Sequence, residues 1–287
     1  MICFYLTLNQ DIKSGVVSSE LQIHCGVPQG SVLGPILFLL YINDIKNSSS
    51  ILSFYLFADD TSTYFSHKNV DFNQHVIMIN NEVIEEKFYT KYLGILIDKH
   101  LSWQHHIANI NLKLSKGIGI LAKLRHLVSS SVLRTLFFSF IQPHIDYGLI
   151  NWGCTKSSLL DPIRKNVNKA LKIMSFQNEK GNYEKLFKKF NILNFDDHLK
   201  LTFGKFIWKI HNKVLSTNFL SMFDSIDSSK AHITSGFVLP HCNTEYKKRF
   251  VTFSGIKSWK SIPDEIQKSK SLNIFKSKLK KEYISLY

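Results

Sequence analysis

The sequence predicts an α+β protein in which antiparallel hairpins and one helix come first and a mainly α-helical region follows. Residues 2–65 contain short runs of alternating apolar and polar residues separated by turn residues, a pattern typical of β-hairpins. An apolar segment from Ser31 to about Ile45 starts with a potential N-cap and has Pro35 near its first turn, which favours a helix. Beyond Trp103, apolar residues recur at helical spacing.

The first hundred residues contain four candidate strand regions. Residues 2–25 predict a hairpin that turns at 13–15, and residues 51–65 predict a second hairpin with Asp59 and Asp60 at its tip. Residues 76–84 contain an Asn-Asn turn between β-branched residues, and the segment KYLGILID (91–98) predicts a short apolar strand. Together these segments predict a small antiparallel β region.

The remaining residues predict helices that carry lysines beside their apolar stripes. The predicted segments are 105–128, 132–141 (stopped at Pro143), 157–175, a segment around Phe187, 199–214 and 275–283, with a loop at 225–247. The lysines are Lys113, Lys116 and Lys123 in the first segment and Lys165, Lys169 and Lys172 in the third. Such rows suit contacts to a nucleic-acid backbone, which are independent of base sequence. Any amphipathic helix also has a charged face, so the rows alone leave the function open.

Charge is distributed unevenly along the 287 residues. Residues 1–100 contain 6 Lys and 10 Asp or Glu, a net charge of −4, whereas residues 101–287 contain 30 Lys or Arg and 12 Asp or Glu, a net charge of +18. A strongly basic second part favours a polyanionic partner. A lysine-rich solvated surface would give the same asymmetry.

Cysteine and histidine positions argue against a zinc site or a disulfide framework. Cys3, Cys25, Cys154 and Cys242 are far apart, so we expect a reducing compartment, the cytosol or the nucleus. The neighbouring His105 and His106 diverge on a helix without a third ligand, and we expect both at the surface. No secretion signal is recognised, and the longest apolar run (36–42) is too short to span a membrane.

Two segments resemble a known family by their residues and order. GVPQGSVLGPILFLLYINDI (26–45) and FADD (57–60) are similar to motifs B and C of the reverse transcriptase palm, in particular in non-LTR retrotransposons of the jockey/CR1 type. The resemblance implies an RNA-directed DNA polymerase that uses Mg²⁺. Independently of it, buried or clustered carboxylates call for a cationic partner, for which a hard divalent ion is suited. Adjacent aspartates also suit a simple turn.

The resemblance assigns roles to individual residues and regions. Asp59 and Asp60 would be the catalytic metal ligands, and Pro28, Gln29, Gly30 and Ser31 would lie against the incoming nucleotide and template base. Glycines there allow close backbone approach, although a helix-entry turn without a ligand has the same composition. Residues 1–100 would be a partial palm, 101–180 a thumb-like helical region and 181–287 a helical C-terminal region. The implied partners are an RNA template, a DNA primer and deoxynucleoside triphosphates.

The sequence also departs from the family pattern. A further metal-binding aspartate comes from an earlier strand, motif A, which would precede Met1, and neither Asp11 nor Asp44 is placed to replace it. Only thirty residues lie between Asp60 and Lys91, where the family has a long helix and the lysine-bearing motif D. We therefore expect a truncated, internally deleted chain with uncovered apolar surface that is inactive alone. The alternatives are retained polymerase activity with a partner chain, a nucleic-acid-binding remnant, and a structural or interaction relic.

Overall fold

The chain divides into two units, residues 1–84 and 85–287. A computed structural model describes residues 6–7, 12–13, 16–17, 22–23, 32–50, 52–57, 60–64, 78–79, 82–83, 87–176, 183–215, 223 and 237–287. Five two-stranded antiparallel pairs and a larger number of helices occur in these residues, as expected for the predicted α+β class.

The first unit contains four of the antiparallel pairs. These are β1 (Leu6–Thr7) with β4 (Gln22–Ile23), β2 (Ile12–Lys13) with β3 (Val16–Val17), β5 (Ser53–Phe57) with β6 (Asp60–Tyr64), and β7 (Met78–Ile79) with β8 (Glu82–Val83). The pairing confirms the hairpins predicted at 2–25, 51–65 and 76–84. Alternating β-rich sequence and short polar turns determine such pairs locally.

The helix of the first unit, α1 (Gly34–Ile42), is followed by a 3₁₀ helix at Asn43–Ser48. The prediction that Ser31 caps this helix is wrong, because Leu33 occupies the N-cap position and no side chain caps the helix there. Pro35 lies in the first turn as predicted, where its missing N–H has no helical acceptor to lose. The α-helical part therefore ends three residues earlier than Ile45.

Apolar side chains of the first unit are widely exposed. Leu39 and Leu40 of α1 are 64% and 68% exposed, and the residues of this unit whose exposure the structure describes are half-buried or exposed. A helix that is apolar on all sides normally lies inside a protein core. The apolar surface of α1 is therefore exposed, and the truncation and deletion expected to cause such exposure stay a prediction.

The second unit contains ten α-helices among its described residues. They are α2 (Gln104–Leu124), α3 (Ser130–Phe140), α4 (Gln142–Asp146), α5 (Leu149–Trp152), α6 (Ser157–Ser175), α7 (Tyr183–Phe190), α8 (Phe195–His211), α9 (Val251–Lys260), α10 (Asp264–Gln267) and α11 (Leu272–Ser285). The long predicted helices are confirmed. Helix α3 ends at Phe140, before Pro143 as predicted, and Pro143 lies in the first turn of the short helix α4 that follows.

One further hairpin belongs to the second unit. Strand β9 (Tyr89–Tyr92) pairs with β10 (Ile95–Asp98), so the strand predicted for KYLGILID is present and the segment spans two paired strands, as in the strand pair that follows the palm in the family it resembles. The turn residues Leu93 and Gly94 have φ angles of +45° and +81°. Positive φ at both central residues is typical of a tight hairpin turn. The hairpin packs against α2.

Two apolar clusters form the core of the second unit. The first joins α2, α3, α6 and α7 around fully buried side chains such as Leu114, Phe137 and Leu171. The second joins α8, α9 and α11 around Trp259 and Phe275. Arg164 of α6 links them, because its guanidinium donates to both carboxylate oxygens of Asp196 in the first turn of α8. No helix in the described parts of the chain has the length and apolar character needed to cross a membrane.

Candidate nucleic-acid interface

The predicted metal ligands lie at the β5–β6 hairpin. Phe57 pairs with Asp60, so the hairpin turns between these two residues. Asp60 is the first residue of β6 and is exposed, whereas Asp59 lies outside the described residues. Asp60 is thus exposed to solvent at the first position of a paired strand, which restrains its backbone.

The described residues do not complete a metal site. They contain one of the two predicted carboxylates, and no three His, Cys, Asp or Glu side chains among them are close enough to hold an ion. Asp44 is exposed in the 3₁₀ helix after α1. Since Mg²⁺ prefers several oxygen ligands, the fit of the ion to Asp59 and Asp60 stays a prediction.

The predicted substrate-binding loop lies outside the described residues. This applies to Pro28, Gln29, Gly30 and Ser31 alike. The described chain resumes at Val32, two residues before α1 begins. Their proposed contacts with a nucleotide and a template base therefore stay predictions.

The lysine row of α2 lies on its solvent face. Lys113, Lys116 and Lys123 are exposed, whereas Leu114 and Leu121 on the opposite side are fully buried. None of the three forms an ion pair with another described residue. Their positive charges are therefore available to an external anion.

The lysine row of α6 is partly engaged. Lys165 and Lys169 are exposed, but Lys172 is half-buried with its Nζ 4.9 Å from the centre of the Tyr183 ring. A cation over an aromatic face is attracted by the ring quadrupole. Lys172 therefore contributes less free charge to this face than the other two lysines.

His106 is not the surface residue that the sequence suggested. It is 4% exposed, its Nδ1 accepts a hydrogen bond from the backbone N–H of Leu96 (3.3 Å), and its ring packs edge-on against Trp103 and Trp152. Burial, with a smaller effect of the Lys113 charge, lowers the pKa of His106. The spacing to Ile110, one helical turn on, was the available signal for this burial. His105 is exposed and stacks on Tyr89, as a surface residue can.

Asp98 holds the hairpin at the start of α2. Its carboxylate accepts backbone N–H bonds from His100 (3.1 Å), Ser102 (2.9 Å) and Trp103 (2.7 Å). Burial alone would raise the pKa of Asp98, but these hydrogen bonds outweigh it and lower the pKa below its ordinary value. The charged carboxylate therefore fixes β10 relative to the segment that leads into α2.

A polar contact between α4 and α8 was not predicted from the sequence. Asp146 Oδ1 lies 2.5 Å from His198 Nε2 and also accepts from Gln142 Nε2 at 2.8 Å. Burial raises the pKa of Asp146, but the hydrogen bond and charge of His198 reverse this and lower it. The partners lie 52 residues apart in sequence, so no local pattern joins them. The contact ties two helices of different core clusters together.

A cavity of about 600 Å³ opens beside the β9–β10 hairpin. Its walls come from three separate segments, residues 92–103, 147–151 and 246–251. Many of the lining side chains are aromatic, and Arg249 is the lining residue that carries a positive charge. Because the segments are distant in sequence, no motif indicated the cavity.

The first part of the chain is similar to a known protein family. Residues 3–92 match the family of reverse transcriptase (RNA-dependent DNA polymerase). The chain therefore carries a reverse transcriptase domain. It is related to the RNA-directed DNA polymerases of jockey-like non-LTR retrotransposons.

Three relatives support this relationship. The probable RNA-directed DNA polymerase from transposon X-element of Drosophila melanogaster is 25% identical over 206 residues, 55% of this chain and 22% of that protein. The RNA-directed DNA polymerases from mobile element jockey of Drosophila melanogaster and Drosophila funebris are 25% and 22% identical, each over 56% of this chain and 23% of the relative. The match thus spans less than a quarter of these relatives' length. No solved structure matches the chain significantly.

Proposed function

We propose that the helical second unit binds the backbone of a nucleic acid, as the thumb-like part of a reverse transcriptase would hold template and primer. The observation that carries this is the exposed row of Lys113, Lys116 and Lys123 on α2, whose charges have no described acidic partner. Residues 85–287 contain 33 Lys or Arg and 15 Asp or Glu, a net charge of +18. An excess of this size attracts polyanions strongly at low salt.

The partial palm would supply the polymerase chemistry of the family. Asp59 and Asp60 would hold Mg²⁺, which in this chemistry activates the primer hydroxyl and neutralises the triphosphate of the incoming deoxynucleotide. Pro28, Gln29, Gly30 and Ser31 would position that nucleotide against the template base. The exposed Asp60 at the start of β6 is compatible with this role.

We further propose that the chain does not extend a primer by itself. The segment between Asp60 and Lys91 has only thirty residues, too few for the helix and lysine-bearing strand of the family pattern. The exposed apolar surface of α1 is compatible with an internally deleted palm. An incompletely supported metal site loses the electrostatic stabilisation that dominates such reactions.

Binding is tested by measuring the affinity for an end-labelled RNA–DNA hybrid at several salt concentrations. We expect a steep fall in affinity with salt, and a slope smaller by about 1 for each phosphate-contacting lysine removed. The test variant is Lys113→Gln with Lys116→Gln and Lys123→Gln. The charge-matched control is Lys268→Gln with Lys270→Gln and Lys278→Gln, three exposed lysines near the C-terminus. Equal effects of the two triple variants would reject the α2 row as the contact surface.

Catalysis is tested by primer extension with Mg²⁺ on an RNA template, with Asp59→Asn alongside. We expect no extension by either protein and the same hybrid affinity for both. Extension by the wild type that is lost in Asp59→Asn would instead establish the polymerase activity named for the relatives. A folded protein without affinity for the hybrid would favour a structural or interaction relic.

A further inference from the structure

The cavity beside the β9–β10 hairpin has the chemistry of a nucleobase site. Five rings line it, those of Tyr92, Trp103, Tyr147, Tyr246 and Phe250. Its volume, about 600 Å³, is in the range of small-molecule sites and accommodates a nucleotide. We infer that it takes an unpaired base of a single-stranded polynucleotide. The inference rests on the proposed nucleic-acid binding of this unit and adds a specific site to it.

One wall of the cavity is held in place by hydrogen bonds. The Tyr147 hydroxyl donates to the carbonyl of Leu93 in the hairpin turn, and the Trp152 indole N–H donates to the carbonyl of Tyr147 at 2.9 Å. Gly148 has a φ of +63°, and a Cβ there would lie 2.5 Å from Ile95 Cδ1. This wall is therefore preformed, so little ordering is needed when a planar ligand enters.

The other wall presents accessible aromatic faces. Tyr246 and Phe250 are 44% and 45% exposed, and their ring centres lie 5.6 Å apart at an interplanar angle of 69°. An edge-to-face pair leaves at least one ring face open to a third ring. Every base has a π face, so such rings bind bases with little sequence preference.

One residue of the cavity lining, Arg249, is positively charged. The 3₁₀ helix Lys247–Arg249 follows Tyr246 directly. Lys248 is paired with Glu245 at 2.5 Å, whereas half-buried Arg249 lines the cavity and forms no ion pair with another described residue. A guanidinium suits a phosphate, which it binds through two parallel N–H bonds. The exposed Asn151 amide, also in the lining, offers a donor and an acceptor to a base edge.

These features favour a nucleotide over a purely apolar ligand. An aliphatic chain or an apolar peptide would use the rings but leave the Arg249 charge beside it without a counter-ion. A base with its attached phosphate satisfies both the rings and the cation. The surrounding charge of the unit has the sign needed for the rest of the strand.

The experiment uses the full chain and a short single-stranded oligonucleotide containing 2-aminopurine, made as DNA and as RNA. Stacking in the cavity is expected to quench the probe, and a strand with an abasic position in its place is expected to bind more weakly. Tyr246→Ala and Phe250→Ala should each weaken binding about tenfold and restore the probe's fluorescence. Phe140→Ala, which removes a ring of similar exposure (42%) outside the lining, is the matched control and should change neither.

The outcomes separate this inference from the proposed function. If the strand binds with a steep salt dependence but Tyr246→Ala, Phe250→Ala and the abasic strand behave as their controls, the base site is rejected and backbone binding stands. If no strand binds even at low salt, backbone binding is rejected. The cavity is then tested separately, by measuring the binding of adenosine 5′-monophosphate with ligand-detected NMR. The base site is supported if the wild type transfers saturation to this nucleotide and the variants Tyr246→Ala and Arg249→Gln do not. The base site is rejected if the wild type shows no saturation transfer.

Discussion

Two glycines of α2 allow a direct test of how closely the helices of the second unit pack. A Cβ at Gly117 would lie 2.9 Å from the carbonyl oxygen of Phe140 and 3.1 Å from Ile141 Cγ1, at the end of α3. A Cβ at Gly119, on the same helix, would have no atom within 4 Å among its surroundings. Gly117→Ala and Gly119→Ala therefore make the same chemical change in one helix with different neighbours.

The two substitutions should change stability in different ways. In a helix interior, alanine is more favourable than glycine by about 1 kcal/mol, and both variants gain this term. At Gly119 nothing opposes it, so the free energy of unfolding should rise by up to about 1 kcal/mol. At Gly117 the new methyl group meets backbone that cannot rotate away, and overpacking of this kind costs about 1–3 kcal/mol. Gly117→Ala should therefore be less stable than Gly119→Ala by about 1–3 kcal/mol.

Urea unfolding followed by tryptophan fluorescence measures this difference. All four tryptophans (Trp103, Trp152, Trp208 and Trp259) lie in the second unit, so the signal reports its unfolding. Equal unfolding midpoints and slopes for the two variants would refute the close approach of α2 to the end of α3. A loss of stability in Gly119→Ala would refute the open surroundings of that position.

Three further predictions concern other parts of the chain. Asp98→Ala leaves three backbone N–H groups without their acceptor and should lower the free energy of unfolding by about 3 kcal/mol in the same assay. An unchanged midpoint would contradict the role of Asp98 in holding the segment before α2. Because the fold lowers the pKa of His106, the contribution of this residue to the free energy of unfolding is complete above about pH 6.5 and declines as the pH falls further. His106→Gln should remove this part of the pH dependence, and an unchanged pH dependence in the variant would contradict the prediction. Leu39→Lys with Leu40→Lys should reduce aggregation, measured by light scattering, without loss of the helical circular dichroism signal. A loss of helical signal would contradict the exposure of these two side chains.

The sequence predicted most elements because their causes are local. The β5–β6 hairpin follows from β-rich residues around an acidic turn, and α6 follows from the spacing of Leu160, Ile163 and Val167, all buried in the structure. The helix-start prediction at Ser31 failed because a capping residue type does not by itself decide which turn forms the first helical hydrogen bonds. The pairing within KYLGILID depended on positive φ at Leu93 and Gly94, which an apolar pattern does not reveal.

Some features of the candidate site were likewise predicted from the sequence, and others were found only in the structure. FADD and the PQG loop were recognised by sequence order alone, and the family match at residues 3–92 agrees with that recognition. The lysine rows of α2 and α6 were likewise predicted, because helical periodicity determines which side chains share a face. The contact of Lys172 with the Tyr183 ring was not predicted, because these two residues meet only across a contact between helices α6 and α7.

The sequence by itself thus determined the family, the order of strands and helices, and the basic character of the helical half, because each depends on residues near one another in the chain. Only the tertiary structure decided that His106 is buried, that Asp98 holds the segment leading into α2, and that Tyr147, Arg249 and Phe250 line one cavity. The reason is that burial and cavity shape arise from contacts between distant segments, and composition and spacing along the chain do not specify those contacts.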